Sequence, residues 1–214
     1  MCLTSCMRAV QPRTKRPKPP HPTREMLVAI CVDMLDDRQP EELLANEVLE
    51  AAGVTKGALY HHFADFAELV EVALVVRFAR YVDDSIAAFE ALTSACQSRD
   101  DLLGALALVT AEIQSPARRE VRLARAHVLA IAGANPRLAS TLAAEQGRLT
   151  TALAELIATA QQRGWFNSDF DPRAAAVLIQ AYTLGRIVDD VADVPVDPAA
   201  WERLINRVIE RVLA

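Results

Sequence analysis

The stretch Glu47–Phe63, EVLEAAGVTKGALYHHF, decides how the amino-terminal part of the chain folds. It opens with apolar residues at three- and four-residue spacing, which predicts a short amphipathic helix. Gly53 ends that helix, because glycine adopts the left-handed conformation without a Cβ clash. Thr55 is then a suitable N-cap for a second helix, in which Leu59 and Phe63 lie four residues apart and face inward. The pattern predicts a helix-turn-helix.

The outward face of the second helix suits a DNA major groove. Lys56 can bind a phosphate or a guanine edge, and the small Gly57 lets the backbone approach closely. Thr55 and Ala58 can contact base edges or a thymine methyl group. Three more side chains offer donors to phosphate oxygens, namely Tyr60, His61 and His62. The alternative is an ordinary surface corner with solvated side chains, but the order and combination of these residues favour DNA.

The segment from Thr23 to about Leu74 resembles the DNA-binding domain of the tetracycline-repressor (TetR) family of transcriptional regulators. The resemblance rests on the string AAGVTKGALYHHF at residues 51–63 and on Glu68 and Leu69 after it. It implies that Tyr60 and His62 contact backbone phosphate. It also implies a set of positions that read bases or lie beside them: Asn46, Thr55, Lys56, Gly57, Ala58 and Tyr60.

Two residues depart from the family pattern. Leu49 stands where the family usually has alanine, a small residue that lets the two helices cross closely. Phe66 stands where the family usually has a lysine that contacts phosphate. We therefore expect weaker and less salt-dependent DNA binding than is usual in the family. The two departures also support an alternative hypothesis, an all-α ligand-binding protein of this fold that does not act on DNA.

Composition predicts an all-α chain. Of 214 residues, 52% are hydrophobic and only 7 are glycine, and alanine and leucine are abundant. We predict about nine helices, divided into a three-helix DNA-binding domain at residues 23–68 and a helical ligand-binding and dimerisation domain at residues 69–214. The net charge of −5 disfavours DNA, but residues 1–24 contain basic side chains and no acid.

Residues 1–22 form the basic arm, which includes QPRTKRPKPPHP at residues 11–22. Its proline content rules out a helix or a core, so we predict a disordered segment. Two roles remain open. The arm is either a solvated tail or a segment that lies along DNA phosphates or enters a minor groove.

The four cysteines predict no metal site and no cofactor. Cys2, Cys6, Cys31 and Cys96 form no CxxC pair and have no histidine at zinc-ligand spacing. Free thiols of this kind indicate a reducing, cytoplasmic compartment. The amino-terminal stretch is too short and too polar for a signal peptide. No other stretch is long and uncharged enough to span a membrane, so we predict no membrane partner.

The last two predicted helices carry apolar residues that suit a homodimer. One recognition helix reads only a few base pairs, and a two-fold protein doubles the site by matching a palindromic operator. The alternative is that these faces close one core within a single chain. The TetR resemblance implies dimerisation at the same helices. The predicted interface residues are Leu178, Tyr182, Gly185, Trp201, Leu204, Ile205 and Val208.

The TetR resemblance further implies a small-molecule pocket among the middle helices. The sequence offers four interior polar or aromatic candidates to contact such an effector: Arg125, His127, Trp165 and Tyr182. An apolar lining would favour a hydrophobic or aromatic compound. The predicted function is therefore a DNA-binding repressor that a small hydrophobic ligand releases from double-stranded operator DNA.

An enzyme hypothesis rests on the string DDVAD at residues 189–193. All-α enzymes that act on prenyl diphosphates use such carboxylates to bind magnesium, here Asp189, Asp190 and Asp193. The simpler interpretation is a group of solvated acids in a loop, because the string lies at a predicted helix end and has no second acidic cluster. No nucleophile elbow, P-loop or GxGxxG occurs in the chain. We predict that the protein is not an enzyme.

Overall fold

A computed structural model of the chain describes residues 22–213, and within that part every regular element is helical. Nine α-helices there have seven residues or more, which confirms the predicted all-α chain with about nine helices. In chain order, together with the single turn α9, they are α1 (Pro22–Met34), α2 (Ala45–Ala52), α3 (Lys56–His62), α4 (Phe66–Ala95), α5 (Arg99–Gln114), α6 (Arg119–Ala134), α7 (Pro136–Gln162), α8 (Pro172–Gly185), α9 (Ile187–Asp190) and α10 (Pro198–Val208). The predicted basic arm lies outside the described residues except for Pro22.

Side-chain caps and prolines fix where the later helices begin. The Asn135 side chain accepts hydrogen bonds from the backbone N–H groups of Arg137 and Leu138, at the start of α7. Asp171 and Asp197 cap α8 and α10 in the same way. Each of these caps precedes a proline, which is preset for the first helical position and lacks an N–H that would go unpaired there.

The second helix starts later than the predicted Glu41. A 3-10 turn at Pro40–Glu42 comes first, closed by a 2.8 Å hydrogen bond from the Gln39 backbone N–H to the Glu42 carboxylate. The chain is then extended at Leu43 and Leu44, and the Leu43 side chain is buried in the core. Helix α2 therefore begins only at Ala45, after these two extended residues.

Helix α4 joins the amino-terminal head, α1–α3, to the body formed by α5–α10. It packs on both α1 and α7. Leu69 and Ala73, on the first half of α4, are fully buried. Helix α8 packs on α7, and α10 packs on α5. The boundary predicted between residues 68 and 69 falls inside α4, so head and body share one continuous helix.

The two cysteines that the structure describes are free and buried, as predicted. Burial raises the pKa of the Cys31 thiol to about 11, which keeps it protonated and unreactive. Cys2 and Cys6 lie outside the described residues. Among residues 22–213, no helix combines the length and the apolar character needed to cross a membrane.

Candidate nucleic-acid interface and ligand cavity

The turn between α2 and α3 is a Schellman motif built on Gly53. The Gly53 N–H donates to the Glu50 carbonyl at 3.0 Å, and the Val54 N–H donates to the Leu49 carbonyl at 3.1 Å. Gly53 has φ +63°, in the left-handed region that the sequence predicted. Thr55 stands at the N-cap of α3 as predicted, but its hydroxyl makes no capping hydrogen bond. Backbone geometry alone starts the helix there.

Helix α3 is divided into a buried and an exposed face. Leu59 and Phe63 are buried in the head core, with 1% and 2% of their surface exposed. The polar residues lie on the other side, and Tyr60 keeps 51% of its surface exposed. Of the eight predicted DNA contacts, the exposed ones are Asn46, Thr55, Lys56, Gly57, Tyr60 and His61, and the half-buried ones are Ala58 and His62. The fold thus brings all eight to α3 and the adjacent start of α2.

Contacts within the exposed face hold its longest side chains close to the helix. The Lys56 ammonium lies 5.8 Å from the centroid of the Tyr60 ring, one turn further along. The rings of His61 and His62 meet edge to face with centroids 4.9 Å apart. No acidic residue occupies the first turn of α3, so nothing there opposes a phosphate.

Two carboxylates stabilise the turn between α3 and α4. At the start of α4, Asp65 accepts from the Glu68 N–H at 2.7 Å, and Glu68 accepts from the Ala64 N–H. Both residues that depart from the family pattern contribute to packing. Leu49 is buried, and Phe66 is half-buried against the core, where it offers no donor to a phosphate.

A cavity of about 210 Å³ opens between α4, α5 and α6 in the body. Arg125 lines it, as the sequence predicted for an effector contact, and lies 4.1 Å from the centroid of the Tyr81 ring. Burial lowers the pKa of the Arg125 guanidinium. Tyr182 lines a smaller, adjacent cavity that shares three of its walls with the first: Phe89, Val109 and Ile113.

The other two predicted effector contacts lie elsewhere. His127 points toward the head, and its Nε2 lies 3.2 Å from the Glu41 carboxylate. Trp165 packs under the Arg163 guanidinium, 4.8 Å from the ring centroid, beside a separate surface depression. Of the four predicted effector contacts, only Arg125 and Tyr182 line the two adjoining cavities, and their role as ligand contacts stays a prediction.

The DDVAD string forms ion pairs rather than a metal site. Asp190 receives two 2.6 Å hydrogen bonds from the Nε and Nη2 atoms of Arg122, which also donates to the carbonyls of Ile113 and Ser115. This ion pair holds the pKa of the Asp190 carboxyl below its usual range. Asp189 lies 2.6 Å from the Arg186 guanidinium. The interpretation of these acids as solvated loop residues is therefore wrong for Asp190, which is buried.

The prenyl-diphosphate hypothesis also loses its basis. Two of its three carboxylates are neutralised by arginines, and among the described residues no three acidic, histidine or cysteine side chains are grouped to hold a metal ion. Arg122 was missed at the sequence level. Its signal was the spacing of Arg122 and Arg125 with Val128 and Ala132, which places both arginines on the buried stripe of α6.

The last two long helices place only part of the predicted dimer interface at the surface. Leu178 and Leu204 are 44% and 55% exposed, and Gly185 and Val208 are exposed with them. Ile205 instead is buried in the core of its own chain, where it cannot form an open face. Tyr182 and Trp201 are half-buried, and the Trp201 indole N–H donates to the Gln114 side chain at 3.2 Å.

Solved structures share this architecture over most of the chain. A Rhodococcus protein described as a TetR-family transcriptional regulator is 25% identical, with a TM-score of 0.60 over 90% of this chain and 98% of that one. A Mesorhizobium loti protein described in the same way has a TM-score of 0.64 at 17% identity, over 88% of this chain and 93% of that one. A Saccharomonospora viridis transcriptional regulator, solved with choline, has a TM-score of 0.63 at 16% identity, over 89% and 96%.

A helix-turn-helix that exposes the polar face of its second helix, joined to a helical body, defines a DNA-binding transcriptional regulator. Residues 34–73 match the sequence profile described as bacterial regulatory proteins, tetR family. This match and the similar solved structures support a TetR-family regulator, as the sequence indicated. No curated protein matches the chain.

Proposed function

We propose that the protein is a homodimeric repressor that leaves its palindromic operator when a small apolar molecule enters the body. The exposed polar face of α3 over its two buried anchors, Leu59 and Phe63, carries this proposal. The side chains that would contact DNA are those predicted from the sequence: Asn46, Thr55, Lys56, Gly57, Ala58, Tyr60, His61 and His62. Two copies of this face would read two half-sites about one helical turn, or ~34 Å, apart.

The dimer would form through the outer faces of α8 and α10. Leu178 and Leu204 are large apolar side chains that stay substantially exposed in one chain. Val177 and Val208 extend the same two faces, with 52% and 37% of their surface exposed. Gly185 would allow close approach of a partner helix. Such a set of apolar side chains is stabilised when a second copy covers it.

We expect Leu204→Asp to convert the dimer to a monomer, because it would bury a charge in the interface. Leu44→Asp is the matched control, since Leu44 is 60% exposed at the N-cap of α2 in the head and lies on neither α8 nor α10. Light scattering should give half the wild-type mass for the first variant and the wild-type mass for the second. A wild type that is itself a monomer, or a Leu204→Asp protein that stays dimeric, would contradict this interface.

One continuous helix and two sets of side-chain contacts would connect the cavity with the DNA-reading head. Helix α4 lines the cavity with Tyr81 and Phe89 and begins directly after α3. Glu71, near its start, accepts hydrogen bonds from Asn135 and Arg137 at the corner between α6 and α7. His127 on α6 reaches Glu41 before α2. A ligand that moves α6 relative to α4 would therefore shift the head, and in a dimer it would change the separation of the two α3 helices.

A mobility-shift and footprinting assay with the DNA upstream of the protein's own gene tests the function. We expect a two-fold symmetric footprint, and we expect compounds that raise the melting temperature of the protein to weaken that complex. Absence of any sequence-specific complex would contradict the regulator. A compound that binds the body tightly while operator affinity stays unchanged would contradict the release mechanism only.

A further inference from the structure

Arg125 is a buried cation without a counter-ion. Only 7% of its surface is exposed, its Nε is buried without a hydrogen-bond partner, and no carboxylate within residues 22–213 lies within ion-pair distance of it. Among the residues that the structure describes, its close contact is with the face of the Tyr81 ring, whose centroid lies 4.1 Å from the guanidinium carbon. A buried charge of this kind is costly unless something pairs with it, and arginine does not escape by losing its proton.

The other charged side chains around the cavity are either paired with an opposite charge or exposed to solvent. Arg122 is bound to Asp190 and to two backbone carbonyls. Arg118 is paired with Glu112 at 2.9 Å. Asp84 is exposed to solvent at the edge of the cavity. What remains inside is a single positive charge, so the cavity complements an anion.

The side chains that line the cavity indicate the chemistry of the remaining part of the ligand. Most of the lining is apolar, with Ala88, Phe89, Val109, Ile113 and Val121. Three of these walls continue into the smaller cavity that ends at Tyr182. The Tyr81 ring lies against the Arg125 guanidinium, and the planar fork of a guanidinium can donate two parallel hydrogen bonds to one carboxylate.

We propose that this cavity takes an apolar molecule that carries one carboxylate, with the carboxylate bound to Arg125 and the apolar part along Phe89, Val109 and Ile113. The inference rests on the proposed function, because it names the chemical class of the effector that the body binds. It goes beyond a hydrophobic ligand in general, since neutral molecules of the same shape leave Arg125 unpaired. Neutral analogues are therefore disfavoured.

Calorimetric titration with matched acids and alcohols tests the proposal. The probes are benzoate, octanoate and naphthoate, each compared with the alcohol that has the same apolar part. We expect at least one acid to bind the wild type about tenfold or more tightly than its alcohol, because hydrogen bonds between charged groups are stronger than those to a neutral hydroxyl. Arg125→Met should reduce that ratio to about one.

Two further variants act as controls. Arg118→Met removes a positive charge from the same cavity, but one that Glu112 already pairs with, so the preference for acids should persist. Arg125→Lys keeps the charge without the planar fork and should retain part of the preference. Arg125→Met should fold, with a melting temperature no lower than the wild type, because it removes an unpaired buried charge.

The outcomes separate the two proposals. If acids and alcohols bind equally, or if Arg125→Met keeps the preference for acids, the carboxylate inference is overturned while ligand binding by the body stands. If an acid binds through Arg125 and the DNA complex does not respond, the release mechanism fails while the inference stands. If neither acids nor alcohols bind, both the inference and the proposed effector site fail.

Discussion

Replacing Arg122 with methionine is expected to lower the free energy of unfolding by about 3–5 kcal/mol, the largest effect of any single change discussed for this protein. The substitution leaves the Asp190 carboxylate buried without its two 2.6 Å hydrogen bonds. It also leaves the carbonyls of Ile113 and Ser115 without their donor at the end of α5. Urea denaturation followed by circular dichroism measures the loss.

Arg125→Met is the matched control for this experiment. Both arginines are buried on the same face of α6, three residues apart, and both changes remove one positive charge. Only Arg122 has a carboxylate partner, so only its loss should destabilise strongly. Equal stabilities of the two variants would show that the Arg122–Asp190 pair does not hold α6 to α9. A double variant, Arg122→Met with Asp190→Leu, should recover much of the loss, because no unpaired charge remains.

The same ion pair predicts that the free energy of unfolding depends on pH. Because Arg122 depresses the pKa of Asp190 in the folded protein, the pair contributes stability at pH values above the unfolded-state pKa of about 3.9. That contribution is lost as the pH falls through the lower, folded-state pKa. The stability of Asp190→Asn should therefore approach that of the wild type only at acid pH. A difference between the two proteins that stays constant from neutral to acid pH would contradict this assignment.

Lys56→Ala and Tyr60→Ala are each expected to weaken operator binding by about 1–3 kcal/mol without changing the fold. Both side chains are exposed on α3, and neither fills the core. Lys56→Ala should also reduce the slope of log affinity against log salt by about one, because one fewer cation displaces counter-ions from phosphate. Fluorescence anisotropy with labelled operator across a salt series measures both quantities.

Arg80→Ala is the control for the loss of charge. Arg80 is an exposed cation on α4, outside the α3 face, so its removal should leave affinity and salt slope close to the wild type. If Lys56→Ala and Tyr60→Ala bind as tightly as Arg80→Ala at every salt concentration, α3 is not the DNA-reading helix. Circular dichroism spectra that match the wild type would exclude unfolding as the cause of any loss.

The turn and the exposed face of the helix-turn-helix could be predicted from the sequence because their determinants are local, although α2 begins at Ala45 and not at the predicted Glu41. Gly53 ends α2, Thr55 precedes α3, and the four-residue spacing of Leu59 and Phe63 decides which face of α3 is exposed. The cap residues before Pro136, Pro172 and Pro198 likewise indicate where three helices begin. Each of these features depends on hydrogen bonds or side-chain directions within about one turn, so a single stretch of sequence contains all the information.

The body was predicted only in outline, because the packing of its helices decides which side chains contact each other. No sequence pattern pairs Arg122 with Asp190, which lies 68 residues further along the chain. The sequence also could not separate Arg125, which points into the cavity, from His127, which points to the head, although both lie on α6. Helical spacing determined that α6 would form and which stripe would be buried. Only the tertiary structure decided that Arg122 has a carboxylate partner and Arg125 has none among the described residues, because that depends on which neighbouring helix supplies an acid.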